Sequence, residues 1–349
     1  MTESALRLRP FLPALQGYTP GEQLAGKNII KLNTNECPYP PAHRVVERAQ
    51  ESLKSLRLYP NPGSDTLREV LANYHGLKPE QILVGNGSDE ILRLLVHAFI
   101  GPNDRIAMVD LTYSLYPVLA ASFGGGASVY PLGENYELPE AFFDAPEPIL
   151  FLANPNPPIG ILYSREEVAR LCRSRQDRLV VIDEAYADFA PRDCVSLLND
   201  FENLVVTRTF SKSYSLAGMR LGYLMGHPAL VAELMKLKDS YNLNRVAQEA
   251  AIGAIEACGE MRVNARRIVE TRGHTVQALK ELGYRVPESQ GNFVFAIHPD
   301  ARAHFLALRE RGILVRYFDV PRLSNGMRIS IGTPEEMQTL IAALKEILK

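Results

Sequence analysis

The sequence predicts an α/β protein: a large domain whose central sheet is mostly parallel and flanked by helices, and a smaller α+β domain. Three observations carry this reading. Between about residue 80 and residue 210, short β-branched runs alternate with segments of helical period, as in a buried parallel sheet with crossover helices. After about residue 244 the texture changes to long helical stretches followed by three further strand-like runs. At 349 residues the chain also exceeds what one hydrophobic core usually serves. These changes place the large domain at 45–250, and an N-terminal segment with the small C-terminal domain at 1–44 and 251–349.

Each element has its own local reason. The Pro-rich stretch from 10 to 63 is expected to be an ordered, irregular wrap, because aromatic and aliphatic residues are scattered through it. "QILVG" is a strand, and "SDEILRLLVHAFI" has helical spacing, with Ser88 as N-cap and two acids in its first turn. "RIAMVD" is the next strand, followed by a helix in "YSLYPVLAASF" that ends at Gly124 to Gly126, with "FGGGAS" read as a loop. "ILFLAN" is a strand, and "SREEVARLCRSR" opens with a capping box of Ser164 and Glu167. "RLVVID" and "NLVVT" are strands too. "NRVAQEAAIGAIEAC" and "EMRVNARRIVETRGHTVQALKEL" are long helices, and "GNFVFAIH", "GILVRYF" and "MRISIGT" are strands. Thr333, Pro334 and Glu336 start a last helix with a second capping box.

Composition narrows the function. A formal charge of −2 without blocks of like charge provides no footprint for nucleic acid or an anionic membrane. Small molecules and further copies of the chain are the expected partners. Cys37, Cys172, Cys194 and Cys258 lie far apart with no Cys-x-x-Cys pair, which reads as reduced thiols in a cytoplasmic protein. The N-terminus lacks a signal-peptide segment and no run approaches the roughly 20 apolar residues of a membrane span. The seven histidines form no His-Glu-x-x-His or Cys/His pattern, so no metal is expected.

In an open parallel sheet, ligands gather outside the carboxyl ends of the strands. "GNGSDE", "LTYSLY", "ANPNPP", "DEAY" and "TFSK" all fall at such ends. Glu90 replaces the third glycine of a dinucleotide fingerprint and no Lys-Ser/Thr completes a P-loop. What remains is a glycine turn at a helix N-terminus, suited to one phosphate. Asp183 reads either as a cap after its strand or as a carboxylate for a cationic ring nitrogen. Lys212 either snorkels to solvent or is a desolvated Schiff-base amine. Arg220 could be an ordinary surface arginine. Together, a Schiff-base lysine, a ring-nitrogen aspartate, a ring-stacking tyrosine and phosphate donors meet the requirements of pyridoxal phosphate.

"TFSKSYSLAG" resembles the cofactor-attachment motif of class II pyridoxal-phosphate aminotransferases. "KLNTNECPYP", "RLYPNPGSDTLREVLA", "LVGNGSDEIL", "LTYSLYPVLAA", "VIDEAYADFA", "GMRLGY" and "MRISIGTPEE" resemble, in order, the histidinol-phosphate aminotransferases of histidine biosynthesis, fold type I enzymes. The resemblance implies pyridoxal 5'-phosphate as cofactor and transamination between L-histidinol phosphate and 2-oxoglutarate. It implies that Lys212 forms the Schiff base and shuttles the proton, Asp183 keeps the pyridine nitrogen protonated, Tyr186 bonds the ring's O3', and Tyr113 stacks on the ring. Ser88, Asp89, Ser211 and Arg220 would hold the cofactor phosphate. Tyr59 would reach the phosphate in a partner subunit, which implies a homodimer with shared sites. Arg328 would bind the glutamate carboxylate, with Tyr18 and Arg316 near the substrate's distal phosphate.

One position departs from the pattern Asn-Pro-Asn-Asn-Pro-Thr-Gly: in "NPNPPIG", Pro157 stands where an asparagine would donate to O3', and Ile159 replaces the threonine. The expected substitute donor is Asn156. An aromatic-amino-acid aminotransferase or a threonine-phosphate decarboxylase would share the scaffold. A nucleotide-binding dehydrogenase is disfavoured by the missing glycine, and a cofactor-binding regulator by the lack of a DNA-binding segment.

Overall fold

The computed structural model describes residues 8–23 and 29–349. Its strands are β1 (Ile30–Lys31), β2 (Ile82–Gly85), β3 (Arg105–Val109), β4 (Gly126–Tyr130), β5 (Ile149–Ala153), β6 (Leu179–Asp183), β7 (Leu204–Thr209), β8 (Gly222–Met225), β9 (Phe293–Ile297), β10 (Ile313–Leu314), β11 (Arg316–Tyr317) and β12 (Gly326–Ser330). Its helices are α1 (His43–Ser52), α2 (Asp65–His75), α3 (Ser88–Phe99), α4 (Leu115–Ser122), α5 (Glu140–Phe143), α6 (Arg165–Ser174), α7 (Pro228–Leu237), α8 (Arg245–Glu256), α9 (Cys258–Glu281), α10 (Ala301–Glu310) and α11 (Pro334–Ile347).

Seven strands form the central sheet in the order β2-β8-β7-β6-β5-β3-β4, parallel throughout except for β8, which runs antiparallel to β2 and β7. Successive side chains alternate between two apolar cores, so the inner strands read as continuous hydrophobic runs. Leu83, Ile106, Phe151, Val181 and Val205 pack with Ile91 and Leu95 of α3 and Val231 and Leu234 of α7. Val84, Ala107, Leu152, Ile182 and Val206 pack on the other face with Leu67 and Leu71 of α2, Leu171 of α6 and Ala250 of α8. That second core continues without a break into Phe293 and Phe295 of β9 and Leu340 of α11. There an antiparallel sheet runs β11-β12-β9, while β1 pairs in parallel with β10.

Both expected capping boxes are present, Ser164 with Glu167 and Thr333 with Glu336. Several local expectations are corrected. Gly87, at φ 81°, is the N-cap of α3, and Ser88 is already helical. "FGGGAS" is only partly a loop, because Gly126 begins β4, an edge strand too exposed to show an alternating apolar pattern. "GILVRYF" is not one strand: Val315 separates β10 from β11, which belong to different sheets. All four cysteines are free thiols. Among the described residues no helix is long and apolar enough to cross a membrane.

Candidate active site

The carboxyl ends of β2, β3, β5, β6 and β7 open onto one cavity of about 260 Å3. The amino end of β8 joins them, because Gly222 pairs with both Gly85 and Thr209. The antiparallel return is what brings Arg220 to this edge.

Asp183, the last residue of β6, lies on the cavity floor at 4% exposure. Its Oδ2 accepts from the Tyr116 hydroxyl at 2.9 Å, and its Oδ1 accepts from Thr207 Oγ1 and the Ala185 N–H, both at 3.3 Å. Burial pushes its carboxyl up to about 6, and these donors oppose the rise. A buried acid so poised favours a cationic neighbour that would keep it ionised.

Lys212 sits three residues beyond β7, and its Nζ donates to the Thr34 carbonyl at 3.0 Å. Burial, reinforced by the positive charge of Arg328, lowers its pKa to about 8. The ammonium is thereby brought within reach of the neutral, nucleophilic form. Tyr186 follows in the turn after β6, its hydroxyl accepting from Asn35 Nδ2 at 3.0 Å and its ring edge-on to Phe293. Burial raises the Tyr186 phenol, against the opposing effects of Arg328 and the Asn35 bond.

The opposite wall is built for an anion. The first-turn amides of α3 have no intrahelical acceptor and carry the positive end of the helix dipole. Ser88, Asp89, Ser211 and Arg220 line this wall. A Cβ on Gly87 would stand 2.7 Å from Arg220 Nη2, and one on Gly222 would stand 2.4 Å from the Ser88 nitrogen. Two glycines thus let the guanidinium and the helix start close over the same space. Asp89 accepts from Arg220 Nη2 at 3.0 Å and from the Tyr113 hydroxyl at 3.2 Å, so its carboxylate is neutralised and its N–H is the group left for an anion. Lysine, carboxylate, phenol, aromatic wall and phosphate cradle fit pyridoxal phosphate.

Arg316 and Arg328 are direct cross-strand partners in β11 and β12. Arg328 Nη2 donates to the Asn33 carbonyl at 2.9 Å, whereas its Nε is buried without a partner. Burial, followed by smaller effects that include the charge of Arg316, lowers the Arg328 pKa. Like charges opposed across a ladder are destabilising unless an anion intervenes. Arg316 reaches the Pro20 and Thr19 carbonyls at 3.1 and 3.2 Å, and Tyr18 lies edge-on to Tyr113.

Two sequence-predicted residues lie away from this lining. Asn156 is buried at 1% exposure with its amide donating to the Leu111 carbonyl at 2.7 Å and its Oδ1 accepting from Thr112 at 2.8 Å. Its side chain ties the loop after β3 to the turn after β5, and it does not line the cavity. Tyr59 is 78% exposed and stacks on Tyr241 at 4.4 Å. Sequence reasoning missed Asn33, Thr34, Asn35 and Glu36, which also line the cavity, and Tyr116, which holds Asp183. The polar run "NTNE" after an apolar residue was the available signal. Outside the site, His298, Asp300 and His304 bring ligand-type atoms within 4.8 Å of one another, a grouping the motif search did not show. His304 Nδ1 is paired there with the Tyr284 hydroxyl at 2.7 Å, and His298 Nδ1 with the Asp300 N–H at 3.0 Å.

The model of the aminotransferase class I and II family matches residues 27–344. A histidinol-phosphate aminotransferase of Citrifermentans bemidjiense is 43% identical over 349 residues, covering 98% of this chain and 99% of that one. A histidinol-phosphate aminotransferase of Microcystis aeruginosa is 40% identical over 333 residues, covering 95% of each. Among solved structures, histidinol-phosphate aminotransferase from Sinorhizobium meliloti, in complex with pyridoxal 5'-phosphate, aligns with a TM-score of 0.91 at 26% identity, covering 100% of this chain and 99% of that one.

Proposed function

The chain belongs to the class I and II aminotransferases, and from that membership we propose that it exchanges an amino group between L-histidinol phosphate and 2-oxoglutarate, giving imidazole acetol phosphate and glutamate in histidine biosynthesis. The observation that carries this reading is the pair of facing arginines in the same cavity as the lowered-pKa amine of Lys212. Such a cavity receives a substrate bearing an anionic group at a distance from its reacting carbon.

Bound in this cavity, pyridoxal phosphate supplies an electron-withdrawing ring that stabilises the carbanion left when the amino-bearing carbon loses its proton. Lys212, whose amine is neutral above about pH 8, would hold the cofactor's aldehyde carbon and, once released, would be the group placed to take and return that proton. Asp183 would hold the protonated ring nitrogen, its orientation fixed by Tyr116, Thr207 and Ala185. Tyr186 would hold the ring's O3' and Tyr113 its face. The amides of Ser88 and Asp89, with Ser211 and Arg220, would hold the phosphate. Arg328 would clamp the carboxylate of glutamate or 2-oxoglutarate, while Arg316 and Tyr18 face the distal phosphate.

The same reading includes a homodimer. Leu53, Leu56, Leu58 and Tyr59 form a stretch of exposed apolar side chains, a surface that a second copy would cover, carrying Tyr59 to the partner's phosphate cradle. It also retains the division at 45–250 against 1–44 with 251–349, and a cytoplasmic location in keeping with four free thiols.

The test is glutamate formation from 2-oxoglutarate by the pyridoxal-phosphate-loaded protein with histidinol phosphate, phenylalanine or threonine phosphate as donor. Fastest turnover with histidinol phosphate is expected. Preference for phenylalanine, or release of carbon dioxide from threonine phosphate, would replace the substrate assignment.

A further inference from the structure

We propose that Asn35 is a positioning residue that fixes the direction of the Tyr186 hydroxyl, sending its hydrogen into the cavity at the place where Pro157 has none to offer. The inference rests on the aminotransferase reading and concerns residues of this chain alone.

Pro157 lines the cavity but has neither a side-chain donor nor a backbone N–H. The preceding Asn156 turns its amide toward Leu111 and does not line the cavity. Donation toward O3' therefore falls to Tyr186, and which way its single hydrogen points becomes decisive. A phenol has one hydrogen to give and lone pairs to receive. Asn35 Nδ2 donates to the Tyr186 oxygen at 3.0 Å, and among the described residues no other group bonds that hydroxyl. With its acceptor side occupied by Asn35, the hydroxyl keeps its hydrogen for the cavity.

The amide of Asn35 is itself held in one orientation. Its backbone N–H donates to Ser330 Oγ at 2.8 Å, and Ser330 Oγ donates its only hydrogen to Asn35 Oδ1 at 2.8 Å. The oxygen end is thus turned to Ser330 and the nitrogen end to Tyr186. Asn292 Nδ2 closes the cage by donating to the Asn35 carbonyl at 3.0 Å. Asn35 is 1% exposed and holds φ at 55°, the left-handed region that asparagine tolerates better than most residues. The hydrogens run one way, from Asn35 N–H through Ser330 to Asn35 Oδ1, and from Asn35 Nδ2 through Tyr186 to the cavity. Ser330 belongs to β12, two residues from Arg328, so the strand that carries the carboxylate-binding arginine also sets the Tyr186 donor.

The charged groups acting on Tyr186 are Arg328, Asp183 and Asp89, with the Lys212 ammonium 5.8 Å from its ring centre. None is removed by substitution at Asn35, so the variants read the hydrogen-bond chain.

The experiment follows the pH midpoint of the visible absorption of the pyridoxal-phosphate-loaded protein. Tyr186→Phe serves as reference and should raise the midpoint, because a less stabilised ring oxygen holds its charge less well and the neighbouring nitrogen keeps its proton longer. Asn35→Gly, which keeps the left-handed backbone, should raise it by about half a unit, the scale of one neutral hydrogen bond. Ser330→Ala, which leaves Asn35 in place but releases its amide, should raise it by less. In the double variant Asn35→Gly with Tyr186→Phe, the midpoint should equal that of Tyr186→Phe alone, since both act through one hydroxyl. Full addition of the two shifts, or unmoved midpoints in both Asn35→Gly and Ser330→Ala, would overturn the role of Asn35. Failure of the wild-type protein to bind pyridoxal phosphate would instead overturn the aminotransferase reading beneath it.

Discussion

At the residue scale, Lys212 carries the sharpest expectations. Its pKa in the fold, about 8, lies below the 10.5 of a free lysine, so between these values the unfolded chain binds more protons and stability rises with pH. Below about pH 8 the buried ammonium is a full liability. Lys212→Met should therefore melt higher than the wild type at pH 7 when both are free of cofactor, with the difference closing by pH 10; equal melting at pH 7 would contradict the lowered pKa. The rate of cofactor attachment in the wild type should climb through a midpoint near pH 8, followed by absorbance after mixing. Borohydride reduction should fix the cofactor on Lys212 and on no other lysine. Asp183→Asn should keep the fold and lose about 10² to 10⁴ in turnover, since an amide cannot hold a protonated ring nitrogen; near-normal turnover would remove Asp183 from its assigned role.

At the element scale, the loop after β6 and the start of β8 do the positioning. Arg208 of β7 is buried and binds Glu184 at 2.8 Å, Asp188 at 3.2 Å and Asp193 at 2.9 Å, so one guanidinium anchors the segment that carries Asp183 and Tyr186. Asp188 in turn accepts from Ser213, the neighbour of Lys212. Removing the cation leaves the buried Glu184 carboxylate without its partner, and Arg208→Met should destabilise the protein by about 3 to 5 kcal/mol in urea unfolding. A change under 1 kcal/mol would show the network is dispensable. Gly222→Ala places a methyl group 2.4 Å from the Ser88 nitrogen, against backbone that cannot swing aside. It should weaken cofactor binding more than tenfold by fluorescence titration, whereas the exposed Gly259, with open space around a Cβ, should accept alanine without effect.

For the whole molecule, the proposed dimer links a surface to a site. Tyr59 does not line its own chain's cavity, and it belongs with Leu53, Leu56 and Leu58 to an exposed apolar stretch. Tyr59→Phe should raise the dissociation constant for pyridoxal phosphate while leaving the dimer intact in sedimentation. Leu56→Glu should shift the protein toward monomer and lose cofactor with it. A fully active monomer would end both the dimer and the role of Tyr59.

The sheet and the strand-end residues were legible because both are local properties. A buried strand announces itself by its apolar run, and the polar residue after it lies at the sheet's carboxyl edge whatever the rest of the chain does. The strand-end runs that hold Asp183, Lys212, Tyr113 and Ser88 could be located on that ground, whereas the roles of Tyr113 and Ser88 came from the resemblance to the aminotransferase family. The exposed edge strand β4 and the split between β10 and β11 were not legible, because pairing partners, not side-chain periodicity, define them. The site around Tyr186 depends on contacts that have no local signal. Asn35 meets Ser330 across 295 residues and Tyr186 across 151, and the Asn156 amide turns to a carbonyl 45 residues earlier. A polar side chain in sequence is an unassigned donor and acceptor; only packing decides which partner takes its hydrogen, because a buried polar group must be satisfied by whatever the tertiary fold places beside it.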